Sequence, residues 1–370
     1  MTQRDVERRF RTVGDGSGLA HEDLFYREEV QLALRNRGMP LEGLRYAVTP
    51  TGMHYLLIHF DIPYVEVDTW QLQIGGLVSQ SLSLTLDDLK QRPARTLAVT
   101  MECAGNGRAL LSPRSISQPW LLEAIGTAEW TGTPLKGVLA EAGVSQQAAE
   151  ILFTGLDQGV QGEEVQYYQR SLSIDEATAD DVLLVYEMNG EPLQPQHGHP
   201  LRLIAPGWYG MTHVKWLDRI EAIDHHFDGY QMEKTYRFCE GADDPGEPVD
   251  RIRVRSLMVP PGIPDFMTRG RLVQAGPVPI TGQAWAGGLG ITRVEFSDDG
   301  GQTWSEAIFG APPGSYAWRE WSYTWDARPG RYNLCVRATD IDGNVQPVEQ
   351  PWNFQGMGNN MVHRVEVLVE

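Results

Sequence analysis

Cysteine is scarce in this chain, and long apolar runs are absent. The 370 residues contain 3 Cys, and no two of them are spaced as CxxC, which excludes a disulfide framework and a zinc cluster built on thiolates. The longest apolar runs, such as residues 55–58, are too short to span a bilayer. No apolar stretch follows Arg8 and Arg9, so we expect no secretory signal and a cytoplasmic location.

Positive charge is also in short supply. Lys and Arg number 31 against 49 Asp and Glu, which gives a formal net charge of −18. Most of such a surface would repel nucleic acids and anionic membranes, so we expect neither as a partner. Any local concentration of basic residues in this chain is therefore informative.

Length and element pattern predict a two-domain α+β protein that begins with a short arm. At about 100–200 residues per domain, 370 residues suggest two domains. Residues 1–45 are polar, with an amphipathic stretch at 28–37 that predicts a short helix, and we expect an arm that wraps the first domain. Residues 46–245 alternate strands with helices, which predicts a mixed α/β domain. After a linker rich in Pro and Gly at 240–265, residues 246–370 contain only strands and turns, which predicts an immunoglobulin-like β-sandwich.

Several local elements have clear start and stop signals. Alternation over residues 69–74 predicts a strand that ends in a glycine turn. Thr85 is a candidate N-cap for a short helix over 86–90, and residues 134–143 are predicted to be helical. Residues 96–101 predict a buried strand that leads into a glycine-rich loop.

Cys103 opens that loop and is the first candidate for chemistry. Two glycines in the loop let the backbone approach a ligand closely, and a thiolate there can point into a cleft. Arg108 and Arg114 follow, with no acidic residue between Cys103 and Trp120, and a nearby cation lowers a thiol pKa. These features indicate a thiolate ligand or nucleophile. The alternative interpretation is a buried structural cysteine.

A second candidate site is a basic cluster within residues 193–219. It contains Arg202, Lys215 and one further Arg against a single acidic residue, together with three His. In so acidic a chain this cluster predicts a bound phosphate or oxyanion. A zinc site at His197 and His199 is the alternative, although no carboxylate or thiol stands at ligand spacing.

The β-rich part of the chain offers two further features. Residues 297–304 match the Asp-box hairpin, in which Asp carboxylates bind turn amides and a Trp packs beneath, and we expect a folding device there rather than a sugar site. Six of the eleven Trp lie in the last third of the chain, and we expect them in a core or in a subunit interface. A non-catalytic protein that binds carbohydrate or protein through this Trp-rich sandwich is an alternative interpretation.

Taken together, these segments resemble the sulfite oxidase family of molybdenum enzymes. The resemblance extends from about residue 46 to the end of the chain. The matching segments are residues 99–108, 124–130, 186–193, 197–202, 213–217, 317–319 and 344–347. The resemblance implies an α+β molybdopterin-binding domain followed by a β-sandwich through which two copies form a homodimer.

By this resemblance, Cys103 would be the single protein ligand of a molybdenum atom. The other ligands would be two oxo or hydroxo groups and the dithiolene of one molybdopterin, and a soft thiolate suits a metal already held by sulfur. The phosphate of molybdopterin would account for the basic cluster. The implied cofactor-binding residues are Tyr55, His59, Cys103, Asp157, His197, Arg202, His213, Val214 and Lys215.

The resemblance also implies a pocket for a small oxyanion or sulfur compound. Its implied residues are Cys103, Arg108, Trp120, Tyr236 and, from the second domain, Arg319. The family's Arg-Asn-His triplet is Leu57-Ile58-His59 here, so one substrate-binding Arg is missing, and Gly107 replaces a basic residue common in the family. Losing one charge-assisted hydrogen bond costs about 1.5–3 kcal/mol, which is roughly ten- to hundredfold in affinity. We therefore expect weakly bound sulfite or a less charged sulfur compound.

The predicted reaction is the oxidation of sulfite to sulfate, with electrons passed to a separate acceptor, a cytochrome or dioxygen. No CxxCH motif is present, so we expect no haem in this chain. Reduction of nitrate or a sulfoxide with the same cofactor is the main alternative. A cysteine hydrolase that uses Cys103 and His197 is a further alternative, but no orienting acid is evident for it.

Overall fold

The computed structural model of the protein describes residues 25–161, 164–288, 290–311 and 313–370. About 13% of the chain is helical and 40% is in strands, which confirms the predicted α+β class. None of the helices in these ranges is long and apolar enough to cross a membrane. Most of the predicted arm, residues 1–24, lies outside the described residues.

The α-helices in the described ranges are short. They are α1 (Arg27–Arg35), α2 (Leu86–Lys90), α3 (Leu135–Ala142), α4 (Ile174–Ala177) and α5 (Tyr230–Glu233). Single 3₁₀ turns occur at Leu41–Arg45, Arg108–Leu110, Pro195–His197 and Gly210–Thr212. The predicted helices over 86–90 and 134–143 are thus confirmed.

Local hydrogen bonds explain where α2 begins and where α1 ends. The Thr85 hydroxyl accepts a bond from Asp88 N (3.1 Å), while the Asp88 carboxylate accepts one from Thr85 N (2.9 Å), so α2 begins with a capping box. The helix α1 ends two residues before the predicted limit of 37. Arg37 instead exchanges two backbone bonds with Leu56 (3.0 and 2.7 Å), so the chain leaves the helix to pair with an extended segment.

Two sheets build the first domain. The first sheet has the order β2-β1-β10-β5-β6, and the second has the order β3-β4-β7-β8, with β9 added beside β7. A small β11-β12 pair follows. The strands are β1 (Leu72–Gly76), β2 (Leu82–Leu84), β3 (Arg95–Glu102), β4 (Ile125–Pro134), β5 (Glu150–Gln161), β6 (Glu164–Ser173), β7 (Leu183–Met188), β8 (Glu191–Pro192), β9 (Arg202–Ile204), β10 (Leu217–Ile223), β11 (Arg237–Phe238) and β12 (Glu247–Pro248). A hydrophobic core joins the first sheet, α3 and the inner faces of β7 and β9.

The strand predicted at residues 69–74 starts later than expected and continues through its glycines. Trp70 N bonds back to Glu66 O (3.0 Å), so the chain is still in a turn there. The strand β1 then runs parallel to β10, with Gly76 opposite Ala222. Gly76 has φ +77, and a Cβ there would lie 2.3 Å from Ala222 O. Glycine at this position therefore permits close strand pairing, not only a turn.

The second domain is a sandwich of two sheets, in the orders β13-β16-β20-β19 and β14-β15-β22-β21-β17-β18. Its strands are β13 (Arg255–Met258), β14 (Ile263–Pro264), β15 (Arg271–Val273), β16 (Gly276–Trp285), β17 (Ile291–Ser297), β18 (Ser305–Glu306), β19 (Ile308–Phe309), β20 (Arg319–Ala327), β21 (Gly330–Asp340) and β22 (His363–Val369). Side chains from both sheets form one core, which includes Ile280, Trp321, Phe296 and Leu334. The sheet-rich second domain is confirmed, and the immunoglobulin type of its connections stays a prediction.

The arm contacts both domains, and part of the predicted linker forms a strand of the second domain. Glu29 of α1 forms a buried ion pair with Arg114 of the first domain. The turn at Leu41–Arg45 instead contacts the second domain, where Gln283 donates its side-chain amide to Leu44 O (3.0 Å). The predicted linker at 240–265 contains β13, all four residues of which are buried in the sandwich. The arm therefore joins the two domains, and β13 belongs to the second one.

Candidate functional site

Cys103 lies where two cavities meet. It follows β3 directly, and its backbone N–H donates to Ala124 O (2.9 Å). One cavity, called the inner cavity here, is lined by Tyr55, Asp157, His197, Arg202 and Lys215 among others. The other, called the outer cavity, is lined by Arg108, Trp120, Gln118, Gln161 and Met357 among others. Leu57, His59, Cys103 and Tyr236 line both cavities, so a group bound to the Cys103 thiol would face both.

The loop after Cys103 folds tightly over the Arg108 guanidinium. Asn106 N donates to Cys103 O (2.9 Å), and Arg108 N donates to Gly105 O (3.0 Å). A Cβ on Gly105 would lie 2.8 Å from the guanidinium carbon, so glycine permits this packing. The loop thereby brings the thiol and the guanidinium to the same cavity.

Two cations of the predicted basic cluster face the inner cavity. Arg202 is buried and donates to His197 O (3.0 Å) and His213 O (3.3 Å), and its Nε has no partner among the described residues. Lys215 Nζ donates to Leu57 O (2.8 Å) and Gln196 O (3.2 Å). Backbone carbonyls thus hold both cations in place.

Burial makes these charges costly in the absence of a ligand. It lowers the pKa of Arg202 to about 10. It also lowers the pKa of Lys215, against the opposing effect of the Asp157 carboxylate. Burial raises the pKa of Asp157, whose Oδ1 has no hydrogen-bond partner among the described residues. An anionic group between Arg202 and Lys215 would offset the desolvation of both cations. The inner cavity therefore suits a ligand that carries a phosphate and polar edges, as the predicted cofactor does.

The histidines of the site are neutral near pH 7. Burial lowers the pKa of His59 to about 4, that of His197 to about 2 and that of His213 to about 3. His213 Nδ1 accepts from Ala205 N (3.1 Å), so Nε2 carries the proton and donates to Trp208 O (3.1 Å). Both ring nitrogens of His213 are thus committed within the protein. Its part in the inner cavity is to hold Arg202 through its carbonyl, rather than to offer a ring nitrogen to a ligand.

Arg108 is anchored in the outer cavity by the second domain. Its Nε donates to Gln355 O (3.0 Å), Nη2 to the Met357 sulfur (3.3 Å) and Nη1 to Gln118 O (3.4 Å). Met357 itself is held by Asn353, whose amide bonds both its N–H and its carbonyl (2.9 Å each). The segment 353–360, named the capping loop here, therefore forms a wall of the outer cavity.

Further bonds join the capping loop to the Cys103 loop. Gly358 N donates to Ala104 O (2.7 Å), and the Asn359 amide donates to Gly107 O (2.7 Å). The buried Glu102 carboxylate, next to Cys103, accepts bonds from Arg255 and from Trp285 Nε1 (2.8 Å), both in the second domain. The second domain thus fixes the position of the Cys103 loop from two directions.

Burial raises the pKa of the Cys103 thiol above its usual value, and the Glu102 carboxylate adds to the rise. The Arg108 charge, the Gly105 amide and the Trp120 indole oppose it only in part. Tyr236 lies beside Cys103 in an unusual backbone conformation, with φ +59. Burial raises the pKa of Tyr236 to about 12, so its hydroxyl stays protonated at neutral pH. The site therefore places a proton donor beside the thiol.

Two predicted site residues do not reach either cavity. Val214 is fully buried in the core of the first domain, and its N–H and C=O bond Thr212 and Leu203 (3.0 and 2.8 Å). Arg319 is in β20, where its guanidinium donates to Gly310 O (3.0 Å) and Ile291 O (3.3 Å) within the second domain. The structure thus does not bring Arg319 to either cavity, and its part in the substrate pocket stays a prediction. The second domain contributes the capping loop instead.

The sequence reasoning missed Gln118, Gln161, Tyr168 and Met357, which all line the cavities. The capping loop had one available signal, since three Asn and two Gly fall within residues 353–360. Such amide-rich, strand-free segments are typical of loops held by side-chain hydrogen bonds. Nothing in the sequence indicated that the loop would lie beside Cys103.

The alternative binding sites find little support in the structure. Trp285, Trp318, Trp321 and Trp325 are buried, so these indoles form core rather than a sugar-binding platform. In the Asp-box, the Asp299 carboxylate accepts bonds from Gln302 N (2.9 Å) and from Thr303 N (3.0 Å), as expected for a folding device. No cluster of three or more His, Cys, Asp or Glu able to hold a metal ion occurs in the described ranges.

Two family models match the chain, one for each domain. A model described as "Oxidoreductase molybdopterin binding domain" matches residues 59–231. A model described as "Mo-co oxidoreductase dimerisation domain" matches residues 248–370. The first match ends before the change in composition at 240–265, and the second begins within it.

Individual relatives agree with these models. The mitochondrial sulfite oxidase of Mus musculus is 34% identical over 345 residues, which cover 87% of this chain and 62% of the mouse protein. The NADH nitrate reductase of Solanum lycopersicum is 30% identical over 366 residues, which cover 90% of this chain and 40% of that protein. This chain therefore spans less than two thirds of the length of these relatives.

The fold has a counterpart among solved structures. The sulfane dehydrogenase SoxCD of Paracoccus pantotrophus superposes with a TM-score of 0.78 at 26% identity. The match covers 94% of this chain and 92% of that chain. Both domains of the chain thus fall within the superposition.

Proposed function

The chain belongs to the sulfite oxidase family of molybdopterin-dependent oxidoreductases, and from this premise we propose that it oxidises sulfite or a related sulfur compound and passes the electrons to a separate acceptor. The family resemblance predicted from the sequence is thereby confirmed. The observation that supports the proposed activity most directly is the position of Cys103. Its thiol lies between a cation-lined inner cavity and an open outer cavity.

The inner cavity would hold the cofactor. Arg202 and Lys215 would bind its phosphate, and Asp157, Tyr55 and His197 would bond the polar edges of the pterin. The unpartnered Arg202 Nε and Asp157 Oδ1 support this assignment, because buried polar atoms without partners are rare unless a ligand or water satisfies them. When bound, the cofactor supplies a molybdenum centre that accepts two electrons and exchanges an oxygen atom with the substrate.

Cys103 would bind the metal as a thiolate. Arg108, the Gly105 amide and the Trp120 indole oppose the rise in the thiol pKa that burial causes, and a bound metal ion would itself stabilise the thiolate. The rigid link between the Cys103 loop and the second domain limits movement of the sulfur. The protein thus presents one soft ligand at a defined point between the cavities.

The outer cavity would admit and orient the substrate. Arg108 carries a buried positive charge there, and Tyr236 presents a hydroxyl that remains protonated. These two groups would hold a substrate oxygen by hydrogen bonds, and Tyr236 is placed to donate a proton during turnover. Trp120 also lines this cavity and is itself buried.

The partners remain part of the proposal. The match of residues 248–370 to a dimerisation domain supports a homodimer formed through the sandwich. The electron acceptor is a separate molecule, a cytochrome or dioxygen, and the absence of haem from this chain is a prediction. A cytoplasmic location is likewise a prediction.

A second candidate is reduction of nitrate or a sulfoxide by the same centre. The 30% identity to a nitrate reductase supports this candidate. Leu57 also supports it, because it stands where the family has a substrate-binding Arg, so one positive charge is missing from the substrate pocket. Mixing the oxidised protein with sulfite distinguishes the two candidate activities. Bleaching of the molybdenum absorption by sulfite supports the oxidative direction, whereas turnover only with reduced viologen and nitrate or sulfoxide supports the reductive one.

The Cys103→Ser variant tests the site itself. We expect it to fold, with an unfolding free energy close to that of wild type, and to lose turnover completely. Cys335→Ser, at a buried thiol in β21 that lines neither cavity, is the control and should keep turnover. Full activity with bound, reducible molybdenum in Cys103→Ser would refute the ligand assignment.

A further inference from the structure

The outer cavity carries an unusual balance of charge for a site that binds a dianion. Among the described residues, its lining includes two arginines, Arg35 and Arg108, and three acidic residues, Glu28, Glu29 and Asp61. The Glu29 carboxylate is neutralised by a buried ion pair to Arg114. The charges around the cavity therefore sum to about zero. A doubly charged substrate would gain little Coulombic attraction here, whereas a singly charged one can be held by one cation.

Arg108 is the buried cation that can hold that single charge. A guanidinium has five N–H donors, and three of those in Arg108 are used by Gln355 O, Gln118 O and the Met357 sulfur. The other two N–H groups of Arg108 have no hydrogen-bond partner among the described residues, and a ligand in the outer cavity could accept from them. Two donors match two oxygens on one atom, the arrangement in which guanidinium groups bind oxyanions most strongly.

Part of the wall of the outer cavity is apolar. Leu57 lies at the boundary of the two cavities, and Ile116, Trp120 and Met357 line the outer one. Ile116, Trp120 and Met357 expose only 4–6% of their surface, so their side chains are fixed by packing. These apolar side chains, in the same cavity as a single buried cation, provide space for a hydrocarbon group.

We propose that the substrate is an organic sulfinate, R–SO₂⁻, in which a hydrocarbon group replaces one oxygen of sulfite. This inference rests on the proposed sulfur-oxidising function. A sulfinate keeps the sulfur lone pair and two oxygens, which Arg108 binds, and carries one negative charge instead of two. Its substituent packs on Leu57, Trp120 and Met357.

The overall reaction balances as R–SO₂⁻ + H₂O → R–SO₃⁻ + 2 H⁺ + 2 e⁻. One S–O bond forms, the sulfur loses two electrons, and water supplies the oxygen and the two protons. The electrons leave singly to an external one-electron acceptor. In an assay this acceptor is ferricyanide, two equivalents of which are reduced for each sulfonate formed.

The test compares benzenesulfinate, methanesulfinate and sulfite as substrates of the holoenzyme with ferricyanide. We expect kcat/KM for benzenesulfinate to exceed that for sulfite at least tenfold, with methanesulfinate between them because its substituent covers less of the apolar wall. Labelled water should place one heavy oxygen in the sulfonate product. A higher kcat/KM for sulfite than for both sulfinates would overturn the substrate class and leave the proposed function standing. Turnover with none of the three, together with viologen-driven nitrate or sulfoxide reduction, would overturn both.

Leu57→Arg tests the specificity independently, and Leu57→Met is its matched apolar control. A new cation at the boundary should raise the ratio of kcat/KM for sulfite over benzenesulfinate by roughly ten- to hundredfold, the value of one charge-assisted hydrogen bond. Leu57→Met should leave the ratio within about twofold of wild type. An unchanged ratio in a folded, molybdenum-loaded Leu57→Arg protein would count against the inference. The comparison of wild-type substrates decides the matter if that variant does not fold.

Discussion

Lys215 offers the most searching test of the inner cavity, because its charge is costly until an anion binds. Nζ is held by Leu57 O (2.8 Å) and Gln196 O (3.2 Å), and burial lowers the pKa of the amine. The perturbation is Lys215→Met, which keeps most of the side-chain length and removes the charge. Protein produced in a host that cannot make molybdopterin provides the cofactor-free form, and protein from a normal host provides the loaded form.

The sign and size of the effect follow from proton linkage. In the cofactor-free protein the Lys215 pKa is lowered, so between that value and the ordinary lysine pKa of about 10.4 the unfolded chain binds more protons than the folded one. The free energy of unfolding therefore rises with pH across this window, by at most about 1.4 kcal/mol per pH unit for one proton. Lys215→Met removes this contribution. We expect a steeper rise with pH in wild type than in the variant.

Urea unfolding of the cofactor-free proteins at about pH 7, 8 and 9 measures the two slopes. Asp157 also titrates, because burial raises its pKa, so the same pair is compared in an Asp157→Asn background as a control. In the loaded form, loss of one charge-assisted bond of about 1.5–3 kcal/mol should lower cofactor affinity roughly ten- to hundredfold, measured as pterin released on dilution. Equal slopes in wild type and variant would refute the view that Lys215 is a desolvated cation awaiting an anion.

Three other substitutions test the second domain and the proton donor. Arg255→Met removes the ion-pair partner of the buried Glu102 carboxylate, so the free energy of unfolding, measured in urea, should fall by about 3–5 kcal/mol. A fall below about 1 kcal/mol would contradict the view that this ion pair fixes the Cys103 loop to the second domain. Arg319→Met should leave kcat/KM within about twofold of wild type, because the Arg319 guanidinium bonds Gly310 O and Ile291 O and lines neither cavity. A large rise in KM would show that Arg319 binds the substrate. Tyr236→Phe should lower kcat on the order of 100-fold, because it removes the proton donor. Since burial raises the Tyr236 pKa to about 12, the plot of kcat against pH for the wild type should show no break from this group near neutrality.

Local physical chemistry makes much of the fold predictable. The Thr85 cap predicts a helix over 86–90, and the apolar run before Cys103 predicts a buried strand, because both depend on neighbours within a few residues. The alternation at 69–74 misplaces its strand because the true extent, through Gly76, depends on parallel pairing with β10, about 145 residues further along the chain. Pairing across such distances leaves no local signal.

The candidate site likewise has some features that the sequence predicts and others that only the folded chain shows. The thiol after a buried strand and the basic cluster in an acidic chain single out Cys103, Arg202 and Lys215 by residue type and position in the sequence alone. The ring tautomer of His213 depends on which backbone groups surround it, namely Ala205 N and Trp208 O. The sequence could not reveal those contacts, and so it could not show that this ring has no nitrogen left for a ligand.

Residue type and near-neighbour order are enough to identify the family, the two kinds of domain, the thiol and the cations. What those residues face emerges only when the chain is packed. Folding places Cys103 between two cavities and keeps the Arg319 side chain within the second domain. It also brings the capping loop, which lies about 250 residues further along the chain, into contact with Arg108. Side-chain direction and domain packing are set by burial and hydrogen bonding summed over the whole chain, and no short segment contains that sum.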